Sequence, residues 1–443
     1  MGLGASVRQT GVRLARRVAA AAAGAACLAL AAAAPALGAQ PYPLNFKTFS
    51  LAAADSSRSG TIISDGSLTL ASSGLSGPFA YTDPFANYSS DRVDGSGEYS
   101  YGTWTSGVTR LSFAFEELVA SWNARTPAGT WIQVEVRPQM LDGHWSKWYI
   151  LGRWTYGDVD FHRTSVGGQG DADGYVAIDT WFAKDHAAIA YQLRLTLFRR
   201  VGSAAAPSVS RLSAIASNLT NQKNTFPSAT TMTGTPVDLR VPQYSQEIHH
   251  GEYPQFDNGG EAWCSPTSTS MVVAYWDSLS PGSGYAPSAA ETAWVGFPEP
   301  WVDFTARYVY DYHYNGAGNW PFNTAYAAAR GLVADVTQLH NLAEAEAFIR
   351  ARIPLVASIN FSSNKLEGAD IKSTNGHLAV IEGFTGDGSK VIVNDPASPT
   401  DAGVKHYYDR EQFERAWIPA SGGIVYVIRP AGWNTPSLTA NNS

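Results

Sequence analysis

Cysteine is nearly absent from this chain, with two residues in 443, Cys27 and Cys264. Charge is also scarce: charged residues make up 16%, and 38 acids against 31 bases give a formal net charge of −7. An acidic chain has no electrostatic basis for binding nucleic acid or anionic lipid. Internal repeats are absent as well. These absences exclude a disulfide scaffold, a repeat protein and a nucleic-acid-binding protein.

The one long apolar run lies at the N-terminus. Four arginines (Arg8, Arg13, Arg16 and Arg17) precede an uncharged, Ala-rich stretch over 18–34, and Pro35, Gly38 and Ala39 follow. This order of charge, apolar run and small residues is typical of a secretory signal peptide. We therefore predict a signal peptide over 1–39, cleavage near Ala39, a secreted protein and no membrane association afterwards. An uncleaved anchor is disfavoured because the run is short and mostly alanine.

Removal of residues 1–39 changes the formal charge and the cysteine count of the remaining chain. It removes four arginines and no acids, so the formal charge falls from −7 to −11, and it removes Cys27. Cys264 is then the only cysteine, and one cysteine cannot form an intramolecular disulfide. A buried structural cysteine is the plain alternative. A single thiol in an oxidising compartment nevertheless needs an explanation, and catalysis is the leading one.

The length predicts two domains. Apolar and polar residues alternate in the first half, as in Ile132, Val134 and Val136, a pattern of half-buried antiparallel strands. We predict an all-β sandwich of jelly-roll type over 40–221, a small, polar linker over 222–236, and a short tail over 433–443.

Residues 237–432 show helical segments first and short apolar strands afterwards, an order that predicts an α+β domain. Helices are expected over 265–277, 305–314, 323–330 and 342–352. Strands are expected over 355–359, 378–384, 391–394 and 424–428. Cys264, the remaining cysteine, directly precedes the first predicted helix of this domain.

Cys264 follows a Gly- and acid-containing loop over 257–261 and comes directly before Pro266. Proline is favoured in the first helical turn, where its missing N–H costs nothing. The spacing therefore predicts that Cys264 begins a helix. The positive end of the helix macrodipole favours the thiolate, which is the nucleophilic form.

A base and its orienting group follow downstream. His377 stands at the start of an apolar strand, and Asp395 at the end of the next, across a predicted hairpin turn over 385–388. If the strands pair, the carboxylate can hold the imidazole in the tautomer that faces the thiol. Asn394 points to the opposite face and is the weaker candidate.

An oxyanion donor is expected upstream of the cysteine. Gln246 lies eighteen residues before Cys264, and its amide can donate to a tetrahedral intermediate together with the Cys264 N–H. Gln243 and Gln255 are rivals that the residues alone do not separate.

Four segments, which carry the Gln, Cys, His and Asp in that order, resemble the papain-like cysteine peptidases of the bacteriocin-leader type (cysteine peptidase family 39-like). These segments are 241–246, 263–275, 376–384 and 391–397. The resemblance covers about 237–430. It implies a papain-like fold and the same roles for Gln246, Cys264, His377 and Asp395. Ser265 stands where the family usually has glycine, and the gap from Gln246 to Cys264 is longer than in many members. No transporter segments follow, so the export-coupled form is not indicated.

Two groups of aromatic residues are candidate binding surfaces. Trp145, Trp148 and Trp154 could form a sugar-stacking platform, although core or sheet-face positions are favoured. Trp263, Asn319 and Trp320 are candidates for the substrate cleft, while the loop over 319–323 fits a core position equally well.

One further group has metal-ligand chemistry. His249 and His250, with Glu252 and Asp257, could bind a metal, but a solvated loop near the active-site rim is the favoured interpretation.

These observations predict a secreted, two-domain cysteine peptidase or amidase that needs no cofactor or metal and acts on peptide or protein, including cell-wall peptide. The sandwich would bind glycan, cell wall or protein. Two alternatives remain: an acyltransferase or transpeptidase using the same triad, and a non-catalytic carbohydrate-binding protein with a relic peptidase domain.

Overall fold

The first half of the chain folds as two antiparallel sheets of seven strands each. The computed structural model describes residues 41–85, 96–220, 222 and 225–437. The strands are β1 (Leu44–Thr48), β2 (Ser57–Ser59), β3 (Thr61–Ser64), β4 (Ser67–Leu70), β5 (Ser76–Tyr81), β6 (Gly97–Thr105), β7 (Thr109–Phe115), β8 (Glu117–Arg125), β9 (Thr130–Met140), β10 (Tyr149–Trp154), β11 (Gly174–Ala177), β12 (Thr180–Ala183), β13 (Ala188–Arg200) and β14 (Ser208–Ser217). One sheet runs β11-β12-β8-β14-β4-β3 with β1 on β14; the other runs β10-β9-β13-β6-β2 with β5 on β6 and β7 on β13.

The two-residue periodicity explains which face of these strands is buried. Ile132, Val134 and Val136 on β9 are fully buried, as is the apolar face of β13. Glu135 is also buried, and it accepts two hydrogen bonds from the Arg194 guanidinium, at 2.6 and 2.7 Å, so its charge is paired. The predicted all-β sandwich is confirmed.

The second half combines five helices with a third seven-stranded antiparallel sheet, among the described residues. The helices are α1 (Cys264–Leu279), α2 (Pro300–Val309), α3 (Trp320–Ala329), α4 (Leu342–Arg350) and α5 (Arg410–Ser421). The strands are β15 (Val237–Asp238), β16 (Val333–Gln338), β17 (Leu355–Phe361), β18 (Thr374–Phe384), β19 (Lys390–Asn394), β20 (Lys405–Asp409) and β21 (Ile424–Arg429). The sheet order is β16-β21-β17-β18-β19-β20, with β15 on β18. The predicted α+β class is confirmed. None of the helices described is both long and apolar enough to span a bilayer.

Several predicted boundaries were wrong. The helix expected over 305–314 is Pro300–Val309, because Pro300 occupies its first turn and the chain leaves the helix at Tyr310. Strands β16 and β20 and helix α5 were not predicted. Strand β16 (VADVTQ) is nearly all buried, so its polar residues break the alternation that sequence patterns detect.

The two domains share one hydrophobic core. Helix α3 and strand β16 pack on strand β8 of the sandwich, where the Phe322 ring lies 6.2 Å from Trp122 and 5.3 Å from Trp154. The buried Asp335 of β16 accepts from Arg211 of the sandwich at 2.7 Å and from Arg429 at 3.2 Å. The sandwich is therefore part of the same packed body as the α+β domain.

The segment after the sandwich is also packed against the second domain. Ser228 donates to the buried Glu414, and the Thr231 N–H donates to the buried Glu346 at 2.6 Å. Arg410 pairs with Glu346 at 2.6 Å, which balances its charge. These contacts fix the described part of the segment predicted as a linker.

Candidate active site

Cys264 is the first residue of helix α1. A 3-10 turn over Gly260–Ala262 leads into it, and the buried Trp263 anchors the turn through a hydrogen bond from its indole N–H to the Phe256 carbonyl at 2.5 Å. The Cys264 N–H is among the first four amides of the helix, which have no intrahelical acceptor. The thiol is half-buried. The helix terminus therefore presents a thiol and an unused amide donor at one point.

His377 and Asp395 come together from adjacent strands. The predicted hairpin is present: β18 and β19 pair antiparallel, and the His377 Nε2 lies 2.7 Å from the Asp395 Oδ1. The other oxygen of Asp395 accepts from the Tyr408 hydroxyl at 2.7 Å, and Oδ1 also accepts from the Ala397 N–H at 3.1 Å. Three donors thus hold a fully buried carboxylate. Asn394 faces away and donates to the Val241 carbonyl at 3.0 Å.

The surroundings of His377 and Asp395 favour the charged form of each side chain. Burial by itself would lower the pKa of His377, but the charge and hydrogen bond of Asp395, with a further hydrogen bond to Cys264, raise that pKa to about 10. Burial would raise the pKa of Asp395, but the imidazolium and the Tyr408 hydroxyl hold it at about 2. Because Nε2 is engaged by Asp395, Nδ1 is the ring nitrogen left for the thiol.

Gln246 lines the same cleft as Cys264. Its amide N–H groups donate to the Glu261 carbonyl at 3.0 Å and the Glu247 carboxylate at 2.9 Å. Gly260 approaches the Gln246 backbone so closely that a Cβ there would lie 2.0 Å from the Gln246 carbonyl oxygen. The loop before Cys264 therefore packs directly on the segment that carries this glutamine.

These side chains line one cleft of about 620 Å³. Gln246, Cys264 and His377 are on its wall, and Gln243 and Gln255 are not. Strands β17 and β18 form another side, and Thr180 and Phe182 of the sandwich also contribute. The cleft thus lies between the two domains, and its shape depends on both.

Two family models match the chain. Residues 238–425 match the Peptidase_C39 like family, and residues 48–217 match the Peptidase C39 N-terminal domain. The chain belongs to the C39-like peptidases. The family predicted from the Gln, Cys, His and Asp segments is confirmed, and the sandwich is identified as the N-terminal domain of such a peptidase.

Solved structures and curated proteins add little about this C39-like peptidase. A protein described as a C39-like peptidase from Bacillus anthracis is 16% identical over 45% of this chain and 99% of its own, with a TM-score of 0.28. A structure from work on the promiscuous specificity of carbohydrate-binding modules of the β-sandwich superfamily is 11% identical over 38% of this chain and 55% of its own, with a TM-score of 0.16. No curated protein matches. Superpositions this loose identify neither a ligand nor an activity.

The predicted cleft aromatics of the C39-like domain are only partly in the cleft. Trp320 lines it. Trp263 is fully buried, because its ring anchors the turn before Cys264, so its assignment to the cleft was wrong. Asn319 is also fully buried: its side chain caps helix α3 at the Phe322 N–H and donates to Asp311 at 2.9 Å.

The predicted glycan platform is reduced from three tryptophans to two. Trp154 is fully buried in the core against Phe322, so a sugar cannot stack on it. Trp145 and Trp148 are half-buried, and guanidinium groups lie over them: Arg137 at 4.9 and 4.8 Å, and Arg194 at 4.4 Å from Trp148. These cation–π contacts occupy ring surface that a sugar would need.

The loop of the C39-like domain with two histidines is not uniformly solvated. His250 is exposed, but His249 is buried and hydrogen-bonds to Glu252, and Asp257 lines the cleft. The prediction of a solvated loop was therefore wrong for His249, whose ring packs 6.0 Å from Trp263.

Three site residues were missed at the sequence level. Tyr408 lies on the unpredicted strand β20, and Thr180 and Phe182 lie in the other domain. A tyrosine on a strand carries no signal for catalysis. Sequence spacing also cannot show which sandwich strand reaches the cleft.

Proposed function

We propose that this C39-like peptidase is a secreted cysteine peptidase or amidase that cleaves peptide or isopeptide bonds through Cys264, His377 and Asp395. The observation that carries the proposal is the Cys264 thiol at a helix N-terminus, in the same cleft as His377, an imidazole whose Nε2 is held by a buried carboxylate. This arrangement suits nucleophilic catalysis, because base, orienting group and nucleophile are aligned before substrate arrives.

In this mechanism His377 Nδ1 takes the Cys264 proton, and the thiolate attacks the carbonyl carbon of the scissile bond. The tetrahedral oxyanion is held by the Cys264 N–H and the Gln246 amide. His377 then protonates the leaving amine, which departs and leaves a thioester on Cys264. His377 next accepts a proton from water, whose oxygen attacks the thioester and releases the acid.

Gln246 is the preferred oxyanion donor because it is the one of the three candidate glutamines on the cleft wall. In this role one of its amide N–H groups turns from Glu247 or Glu261 toward the substrate. The half-buried carboxylate of Glu247 is the easier partner to release, since water can replace the lost hydrogen bond.

The substrate proposed is a peptide or protein, with cell-wall peptide as the leading class for an exported enzyme. Residues 1–39 are proposed as the export signal, and mass analysis of the mature secreted chain tests this with an expected N-terminus near residue 40. A chain that keeps residues 1–39 after export would contradict cleavage.

The main experiment digests a peptide library and purified cell wall with the full chain and reads products by mass. Wild type is expected to release fragments, and Cys264→Ala none. Asp387→Asn, a change in an exposed turn outside the cleft lining, is the control and should retain cleavage. Equal cleavage by wild type and Cys264→Ala would overturn the proposal, as would failure of a thiol-directed alkylating agent to label Cys264 in the folded protein.

Two other functions use the same surfaces. An acyltransferase would pass the thioester acyl group to an amine, so added glycinamide would convert the hydrolytic product into an amide adduct. A non-catalytic glycan-binding protein is favoured only by the half-exposed Trp145 and Trp148. Full-length Cys264→Ala, with and without Trp148→Ala, tests it on a glycan array. The full chain is the correct reagent because an isolated sandwich would expose Trp122 and Trp154.

A further inference from the structure

A largely buried cluster of one imidazole and three carboxylates joins the loop before Cys264 to the start of helix α2. His249 and Glu252 stand on the loop between Gln246 and Cys264, and Glu299 and Asp303 stand at the start of helix α2. The His249 Nδ1 is 2.7 Å from the Glu252 Oε2 and 3.4 Å from the Asp303 Oδ2. The side chains of His249, Glu252 and Asp303 are 1%, 9% and 0% exposed, so water does not screen them.

The negative charge of this cluster is not balanced by the protein. Among the described residues no lysine or arginine forms an ion pair with Glu252, Glu299 or Asp303, and His249 supplies at most one positive charge. From the described part of the chain, neither oxygen of Asp303 accepts a hydrogen bond, and the same is true of the Glu299 Oε2. Buried carboxylates without donors or a counter-charge are costly, and the usual solutions are pairing or metal coordination.

The ligand atoms are spaced for a metal ion. One atom each of His249, Glu252 and Asp303 lies within 4.8 Å of the others. Metal bonds of about 2.0–2.2 Å to nitrogen and oxygen place neighbouring ligands roughly 3–3.5 Å apart, a spacing that small side-chain movements would give here. The remaining nitrogen of the ring, Nε2, lies 3.8 Å from the Glu299 Oε2. A histidine that binds a metal commonly donates its second N–H to a carboxylate, and here that bond requires the two atoms to approach by roughly 0.8 Å.

We propose that His249 Nδ1, Glu252 and Asp303 bind one divalent transition-metal ion, with Zn²⁺ as the preferred ion and Glu299 accepting the Nε2–H of His249. An imidazole ligand and three protein ligands fit Zn²⁺ better than Ca²⁺, which takes six to eight oxygens. The ion would join the loop before Cys264 to helix α2. Its role is structural, because it would fix the loop that carries Gln246 on one side and enters the nucleophile helix on the other.

The test uses full-length Cys264→Ala, which removes the competing thiol from the cleft. The protein is stripped with a chelator, dialysed, and titrated with ZnCl₂ by calorimetry, with elemental analysis of the bound metal. We expect one Zn²⁺ per chain and a higher Tm. Asp303→Asn in this background should lose tight binding, and Glu299→Gln should weaken it about 10–100-fold. His250→Gln, the exposed neighbour, is the matched control and should bind as the parent does.

X-ray absorption at the zinc edge keeps the proposal testable if Asp303→Asn fails to fold. On the parent protein it should report a single imidazole nitrogen with carboxylate oxygens. Absence of stoichiometric Zn²⁺, equal affinity in Asp303→Asn, two imidazoles at the edge, or one bound Ca²⁺ in place of Zn²⁺ would each overturn it. None of these measurements depends on peptidase activity, so failure of the metal site and failure of the proposed catalysis are distinguishable.

Discussion

Asp179 of the sandwich accepts a hydrogen bond from the backbone N–H of Trp320, the first residue of helix α3, at 2.8 Å. A carboxylate of one domain thus supplies an acceptor to the open N-terminus of a helix in the other, next to Trp320 on the cleft wall. The domain boundary and the cleft that contains Cys264 are therefore built from the same contacts.

The environment of Asp179 leads us to expect that the stability of the protein depends on pH. Burial is the main cause that raises its pKa to about 7, partly offset by hydrogen bonds from Trp320 and Thr180. The folded state therefore binds a proton more tightly than the unfolded state, whose Asp pKa is about 3.9, so stability falls as pH rises from about 4 to 7. Asp179→Asn should flatten this fall, by at least about 1 kcal/mol between pH 5 and 8 in urea unfolding.

The control for this experiment is Asp387→Asn in an exposed turn. Hydrogen bonds from Thr385 and Ser389 lower the pKa of Asp387 to about 2, so it is ionised at both pH values and the slope should not change. A wild-type stability that is flat or rising between pH 5 and 7 would contradict the assignment.

Asp395→Asn should move the alkaline limit of activity. The carboxylate raises the pKa of His377 to about 10, and its loss lets that pKa fall, so the imidazolium form disappears at lower pH. We expect the basic limb of kcat/KM to shift to lower pH, with kcat reduced on the order of 10²–10⁴-fold.

Tyr408→Phe is the matched control for Asp395→Asn. It removes one hydrogen bond to Asp395 and keeps the charge, so its basic limb should stay close to that of wild type. An unchanged basic limb in Asp395→Asn would show that Asp395 does not set the His377 charge.

Gln246→Ala should reduce kcat with little change in KM. An oxyanion donor acts in the transition state, and its loss costs roughly 10²–10³-fold in kcat. Gln243→Ala, outside the cleft, should retain activity within a few-fold. The two variants measured side by side on one peptide decide between the glutamines, and the reverse order would exclude Gln246.

Phe182→Ala should raise KM more than it lowers kcat. Phe182 is a sandwich residue on the cleft wall, stacked on Tyr175 at 5.4 Å. We expect a KM increase of roughly ten-fold, the effect of about 1.4 kcal/mol of lost contact, with Cys264 alkylation by a small reagent unchanged. A KM equal to that of wild type would show that substrate does not reach this wall.

Asp335→Asn should destabilise both domains together. It leaves Arg211 and Arg429 without their buried partner, a change that costs about 3–5 kcal/mol. Glu411→Gln breaks the exposed pair with Arg415 and should cost well under about 1 kcal/mol. Calorimetry should show one transition at a lower Tm. Separate transitions for the two domains would contradict a shared core.

Local patterns predicted what depends on neighbouring residues in the chain. The alternation in β9 and β13 predicted the sandwich, Pro266 placed the start of helix α1, and the hairpin turn at 385–388 placed His377 beside Asp395. The sequence also showed that His249 and Glu252 are residue types that bind metals, but it did not show that their side chains are buried. Asp303, their partner on helix α2, lies 51 residues after Glu252 and 54 after His249, and no local pattern linked it to them.

The sequence by itself determined the fold class, the family and the identity of the thiol, because periodicity, helix-start chemistry and a count of cysteines are local or compositional properties. Only the tertiary structure decided that the sandwich forms a wall of the cleft, that Trp154 and Trp263 are core residues, and that buried carboxylates converge on His249. Those features depend on contacts between segments far apart in the chain. The burial of a side chain is set by the residues that pack on it, wherever they stand in the sequence.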